Sequence, residues 1–336
     1  MIREAIARVI QREDLPADVM AAVMDEIMDG EASPAQIAAF ATALRMKGET
    51  VEELAAAAGR LRARALRIEP PAGLMVVDTC GTGGDGVSSF NISTTAAFVV
   101  AGAGIPVAKH GGRAVSSRAG SADVLEALGV RIDLGPEGAR RCLEEIGICF
   151  LFAPGYHESM RHAAPARREM GVRTFFNLLG PLANPAGARR QLLGVYAEGL
   201  VETLARVLAK LGADRAWVVW GEGGLDEVTA AGRTRVAEVS GGVVRCFDLR
   251  PEDFGLPRGR IEDYQGGDAA ENAAIFRAVL SGEPGPRRDV VVANAAAALV
   301  VAGRARDPKH GAELAAAAID RGEALKKLEK LIRFAA

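Results

Sequence analysis

The stretch Val77-Asp78-Thr79-Cys80-Gly81-Thr82-Gly83-Gly84-Asp85-Gly86, continued by Ser88-Ser89-Phe90-Asn91-Ile92-Ser93-Thr94-Thr95, decides how the chain is read. A short apolar run gives way to four glycines in six residues, and an apolar helical segment follows. Glycine lets the backbone turn its N–H groups inward and approach a ligand closely, while a helix beginning near Asn91 aims its positive end at the same space. That combination suits phosphate, and it equally describes a glycine-rich turn between strand and helix. No Gly-Lys-Ser or Gly-Lys-Thr follows, and the spacing is not Gly-x-Gly-x-x-Gly, so it is neither a P-loop nor a dinucleotide fingerprint.

Outward from this stretch the alternation repeats. Short apolar runs at 74–78, 105–108, 149–152, 192–196 and 216–220 are predicted strands, with helices near 92–103, 121–128, 137–146 and 200–211. Strands alternating with helices make an α/β fold: a mainly parallel sheet flanked by helices, with ligands beyond the strands' carboxyl ends. Residues 234–248 read as a strand pair, and helices dominate after Gly267. The first 70 residues differ. Ile2, Ile6, Val9 and Ile10 have helical spacing, Ser33-Pro34 starts a helix, and Thr50 with Glu53 forms a capping box, predicting a smaller all-α N-terminal domain over 1–70 before an α/β domain over 71–336.

Two further loops fall at predicted strand ends. Lys109-His110-Gly111-Gly112-Arg113-Ala114-Val115-Ser116-Ser117-Arg118-Ala119-Gly120-Ser121 mixes glycines, cations and hydroxyls; Lys109 and Arg113 read as mobile positive charges, and Ser121 as the cap of the next helix. Such a loop alone is usually solvated surface, but two of them converge on one crevice. Gly221-Glu222-Gly223-Gly224-Leu225-Asp226-Glu227 sets adjacent carboxylates on a third loop, where they are either solvated or hold Mg²⁺ through oxygen.

Composition narrows the classes. With 41 Lys plus Arg against 43 Asp plus Glu, no positive excess exists to attract nucleic acid. The hydrophobic content of 49% with 25% charged residues excludes a mainly disordered chain. Four scattered cysteines (Cys80, Cys142, Cys149, Cys246) read as free thiols of a reducing compartment, and the N-terminus lacks a signal-peptide core, so a cytoplasmic location is expected. The apolar run 290–302 is too short to span a bilayer and contains Asn294, expected to be buried and hydrogen-bonded. The histidines form no zinc triad, and no Gly-x-Ser-x-Gly or Cys-His nucleophile arrangement is present. Group transfer from a phosphorylated donor remains.

These loops, together with Ser121-Ala-Asp-Val-Leu-Glu-Ala-Leu-Gly129, Arg173-Thr-Phe-Phe-Asn-Leu-Leu-Gly-Pro-Leu-Ala-Asn-Pro185 and Gly224-Leu-Asp-Glu227, resemble in order and spacing the anthranilate phosphoribosyltransferases. The resemblance implies a nucleoside phosphorylase/phosphoribosyltransferase-like fold and transfer of the phosphoribosyl group of 5-phosphoribosyl 1-diphosphate (PRPP) to the amine of anthranilate, in tryptophan biosynthesis. It implies PRPP contacts from Gly81, Gly84, Asp85, Ser89, Asn91, Ile92, Ser93 and Thr94, from Lys109, His110, Gly111, Gly112, Arg113, Ala114, Val115, Ser116 and Ser117, and from Ser121. Anthranilate would meet Gly81, His110, Gly112 and Arg167; Ser93, Asp226 and Glu227 would hold magnesium, two ions per subunit. It also implies a homodimer paired through the helical domains, with the segment near 157–185 packing back on the helical domain. No residue is assigned as general acid or base. Without the resemblance Arg167 would read as a helix-surface arginine.

Two departures stand out. The family usually has Asn where this chain has Gly112, removing one acceptor contact, and commonly has His where this chain has Trp220. The competing readings are a pyrimidine-nucleoside phosphorylase and a non-catalytic nucleic-acid-binding relative. The acid pair favours the transferase over the phosphorylase, and the net charge of −2 opposes nucleic acid.

Overall fold

The computed structural model describes residues 1–84, 86–114 and 118–334. The chain opens with four helices, α1 (Ile2–Ile10), α2 (Ala17–Met28), α3 (Pro34–Lys47) and α4 (Val51–Arg64). Both expected starts are present as full capping boxes: Ser33 with Gln36, and Thr50 with Glu53. Glu53 does more than cap. Fully buried, it accepts from Thr50 N at 2.8 Å, Leu15 N at 2.9 Å and Lys47 Nζ at 3.1 Å, tying α4 to the end of α3 and to the α1–α2 connection.

The α/β part follows as β1 (Val77–Gly81), α5 (Ile92–Gly102), β2 (Val107–Gly111), α6 (Ser121–Ala127), α7 (Pro136–Glu145) and β3 (Ile148–Phe152). Three helices come next, α8 (Ala153–Tyr156), α9 (Ala164–Met170) and α10 (Phe175–Leu182), before β4 (Arg190–Gly194), α11 (Leu200–Lys210) and β5 (Arg215–Gly221). The hairpin β6 (Thr234–Ser240) and β7 (Val243–Leu249) precedes α12 (Ala269–Leu280), α13 (Pro286–Val301), α14 (Pro308–Asp320) and α15 (Glu323–Arg333). The sheet order is β3-β2-β1-β4-β5-β6-β7, with β1 to β5 parallel and β6 and β7 antiparallel. Strand order reverses between β1 and β4, which makes their carboxyl ends the crevice where such folds take ligands.

The first strand is a correction. The run 74–78 was expected to pair, but Leu74 N closes a turn onto Pro71 O, and pairing with β4 starts at Val77 and reaches Gly81 opposite Gly194. Because the strand extends to Gly81, the ligand loop starts later.

Side chains alternate between the two faces with the strand period. Leu192, Trp217 and Val219 join a core with α5, α13, α14 and α15; Leu193, Ala216 and Val218 join a second core with α1 to α4, α10 and α11. Within the second, Phe40 of α3 meets Phe175 of α10 edge to face at 5.8 Å. Asn294 is buried in α13 and hydrogen-bonded throughout, as expected. No described helix is long and apolar enough to cross a membrane.

A buried backbone donor left without its acceptor costs about 1–3 kcal/mol. Glu53→Ala strands the Leu15 and Thr50 donors, while Lys47 keeps Asp14 and Gly48 O as partners, and is expected to lower the unfolding free energy by about 2–5 kcal/mol in urea titration.

Candidate active site

At the β1/β4 crevice the backbone, more than the side chains, sets the shape. Gly83 and Gly84 adopt left-handed φ values of 71° and 68°, which carry the loop away from β1. Thr82 N donates to Gly194 O at 2.9 Å, and Thr82 Oγ1 accepts from Tyr196 N at 3.1 Å, so the loop's first residues are fastened to the end of β4.

Asp226 and Glu227 enter this loop from the far side. Gly83 N donates to Asp226 Oδ2 at 2.7 Å, and Ser93 N, in the first turn of α5, donates to Glu227 Oε1 at 2.9 Å. Both acids are more than nine-tenths buried, which settles the choice between solvated and enclosed carboxylates. The segment behind them leaves no clearance: a β-carbon on Gly194 would overlap Asp226 O, and one on Gly81 would overlap its carboxylate. Asn294 anchors the next residue, accepting from Val228 N at 2.9 Å and donating to Val228 O at 2.8 Å.

Burial, with the adjacent Asp226 charge, pushes Glu227 up to about 8. Two buried carboxylates beside a serine are hard oxygen donors, and a dication between them would relieve the repulsion, so the set fits Mg²⁺. Among the described residues no group of three or more His, Cys, Asp and Glu could hold a metal, so the acids and Ser93 would need substrate or solvent oxygens to complete a shell.

Around α5, Thr79 Oγ1 donates to Ser93 O at 3.0 Å. Asn91 leaves α5 without a side-chain cap; its amide donates to Ala119 O at 3.3 Å and accepts from Asn272 Nδ2 at 3.0 Å, joining the two ligand loops to α12. Thr94 Oγ1 is buried with no partner among the described residues. Ser89 pairs with Gln265 in an isolated bridge, at the rim. Ile92 is wholly buried, so only its backbone faces the crevice.

The second loop corrects three expectations. Lys109 is not a mobile charge: it is buried in β2, its Nζ donating to Thr79 O at 2.5 Å. Arg113 is paired with Asp123 at 2.9 Å and with Glu126 at 2.5 Å. Ser121 does not cap α6; Asp123 folds back to accept from Gly120 N at 2.8 Å and Ala114 N at 2.9 Å, while Ser121 Oγ faces Gly111. Asp85, Val115, Ser116 and Ser117 lie outside the described residues.

His110 is buried at the end of β2, and its Nδ1 meets Gly180 O at 3.1 Å. A carbonyl only accepts, so Nδ1 carries the proton and Nε2 presents a lone pair. Burial drives its pKa down to about 3, keeping the ring neutral, and Nε2 has no partner among the described residues. Beneath it, buried Asp78 accepts from His110 N at 3.2 Å and Asn184 Nδ2 at 2.8 Å; strand patterning gave no sign of this acid. Arg167 is not a surface arginine. Half-buried, it stacks on Phe176 at 5.6 Å, and desolvation lowers its pKa. Trp220 packs on the helical-domain face of the sheet, with the Arg233 guanidinium over its ring.

Residues 74–325 match the glycosyl transferase family α/β domain, and residues 3–65 match its helical bundle domain. Anthranilate phosphoribosyltransferases of Anaeromyxobacter sp. (strain K) and Geobacter sulfurreducens are 58% and 55% identical to the chain, each covering 99% of it and 98% and 99% of their own length. The chain belongs to the anthranilate phosphoribosyltransferase family. The crystal structure of the Thermus thermophilus member superposes with a TM-score of 0.92 at 45% identity, covering 98% of both chains. A Saccharomyces cerevisiae anthranilate phosphoribosyltransferase in complex with PRPP and Mg does so at 0.88 and 28% identity, covering 99% of this chain and 97% of its own. Membership of this family favours the transferase reading over the nucleoside phosphorylase.

Glu227 titrates higher folded than unfolded, so its contribution to stability is full below about pH 4.5 and is lost as pH rises through about 8. With EDTA present, Glu227→Gln should lose less stability than the parent between those limits in urea titrations at stepped pH.

Proposed function

We infer that this protein transfers the phosphoribosyl group of PRPP to the amine of anthranilate, forming N-(5-phosphoribosyl)anthranilate and diphosphate in tryptophan biosynthesis. The observation that carries the reading is the buried Asp226–Glu227 pair hydrogen-bonded to the glycine loop and to the first turn of α5. No other arrangement in the described chain sets acids, glycine backbone and a helix N-terminus at one strand crevice.

The donor would lie along Gly81, Gly84, Asp85, Ser89 and the first turn of α5, and along the loop from Lys109 to Ser121. Ser93, Asp226 and Glu227 would hold magnesium, two ions per subunit, which when bound neutralises charge on the diphosphate. As the bond from the ribose carbon to diphosphate breaks, the carbon becomes oxocarbenium-like and the leaving group gains charge. Buried Lys109 and the loop N–H groups are fixed in place to meet that charge without reorganising. Anthranilate would sit against Gly81, His110, Gly112 and Arg167, the guanidinium facing its carboxylate. Its aryl amine is neutral at pH 7 and attacks without prior deprotonation, releasing one proton to solvent or diphosphate once the C–N bond has formed, so orientation supplies much of the rate. No side chain is given the role of general acid or base.

We also propose a cytoplasmic homodimer in which the helical unit, 1–70, pairs the subunits and 71–336 carries the reaction, with 157–185 serving both. Exposed Ile10 and Met46 on that unit support the pairing, and sedimentation equilibrium should give twice 35.1 kDa.

The activity is tested by following loss of anthranilate fluorescence with PRPP and Mg²⁺, with EDTA as control; absence of turnover across pH and substrate concentration would overturn it. Gly112 leaves one acceptor contact unmade, and nothing lies within 4 Å of the place its β-carbon would take. Gly112→Asn is expected to lower the anthranilate KM about fivefold, the equivalent of one neutral hydrogen bond of about 1 kcal/mol. An unchanged or higher KM refutes that contact.

A further inference from the structure

Arg173 lies on the short connection between α9 and α10, outside every ligand set assigned above. Its backbone has little freedom: Gly171 ends α9 in the left-handed conformation with φ 60°, and Thr174 N donates to Asn177 Oδ1 at 3.0 Å to start α10. The guanidinium lies over the Tyr196 ring at 4.6 Å. A β-carbon on Gly84 would come within 2.7 Å of Arg173 Cζ and 2.8 Å of Nε. The arginine thus rests directly against the glycine loop.

Three features separate it from a structural arginine. No ion pair or hydrogen bond to its guanidinium is found among the described residues, whereas Arg113 and Arg233 each hold two carboxylates. Its shelf is built into the ligand loop, since Tyr196 N donates to Thr82 Oγ1. Next to Gly84, Gly83 N is engaged by Asp226, so the arginine flanks the part of the loop that faces the acid pair.

A guanidinium with no ion-pair partner among the described residues, lying over an aromatic ring, is a pre-formed fork for a dianionic oxygen pair. Its neighbours choose which one. Arg167, in α9, rests on a separate ring, that of Phe176 in α10. Arg173 instead rests against the glycine loop that bonds Asp226, one of the carboxylates that fit a dication, and in PRPP the metal-seeking group is the diphosphate.

We propose that Arg173 is a diphosphate-binding residue, its guanidinium held on Tyr196 beside Gly84 to take the diphosphate end of the donor and the diphosphate product. This rests on the transferase reading and adds a cation to it.

The test is binding of inorganic diphosphate with Mg²⁺ to the full-length protein by titration calorimetry, alongside steady-state kinetics. Arg173→Gln should weaken diphosphate binding about tenfold or more and raise the PRPP KM, with the anthranilate KM within about twofold of the parent. Arg173→Lys keeps a charge without the planar fork and should fall between the two, and Tyr196→Leu should weaken diphosphate binding about threefold by freeing the guanidinium. Diphosphate affinity unchanged in Arg173→Gln and Arg173→Lys, or an effect confined to the anthranilate KM, overturns the proposal. If Arg173→Gln does not fold, the Lys and Leu variants decide it. Turnover by the unaltered protein is scored separately: diphosphate binding that depends on Arg173 without anthranilate consumption refutes the transferase reading and leaves the anion site standing.

Discussion

Two hydrogen bonds, Gly83 N to Asp226 and Ser93 N to Glu227, join segments 143 and 134 residues apart, and the crevice depends on them. Each uses a backbone donor that a loop or a helix start leaves orphaned, and the second orients Glu227, a carboxylate that burial drives toward protonation. The acids thereby shape the glycine loop, and the loop's N–H groups hold the acids. Asn294, from the middle of an apolar helix, anchors the adjoining Val228 through both halves of its amide.

The His110 side of the crevice rests on a different constraint. Pro181 interrupts the end of α10, and three successive carbonyls there take side-chain donors: Gly180 from His110, Pro181 from Gln191 Nε2 at 2.6 Å, and Leu182 from Arg62 Nε at 2.6 Å. One helix end therefore ties β2, β4 and α4 together and fixes the tautomer of His110. Satisfying a helix terminus and presenting an imidazole lone pair become the same act.

What the sequence showed follows from what leaves a local trace. Strands and helices were legible because apolar spacing reports them over several residues, and the first phosphate-like loop because Gly83, Gly84 and Gly86 take its left-handed turns. Charged side chains were misread, because their partners are remote in sequence. Lys109 looked free beside glycines but is buried against β1, and Arg167 looked like surface until Phe176 came beneath it. Ser121 is a good cap by residue type, yet Asp123 reaches two loop N–H groups at once and takes that place. Asp78 left no trace, because a lone acid in an apolar strand is recognisable only once Asn184 stands opposite it.

Three glycines of the site have no room for a side chain. Gly81, Gly194 and Gly221 are pressed against the segment carrying Asp226 and Glu227, and none can accept even a methyl group without displacing backbone or carboxylate. Gly112 stands in open space. A side chain can therefore be placed at position 112 without disturbing the backbone that carries the two acids, whereas a β-carbon at 81, 194 or 221 displaces it: how much change each position of the crevice tolerates is set by how closely the acid-bearing segment passes it.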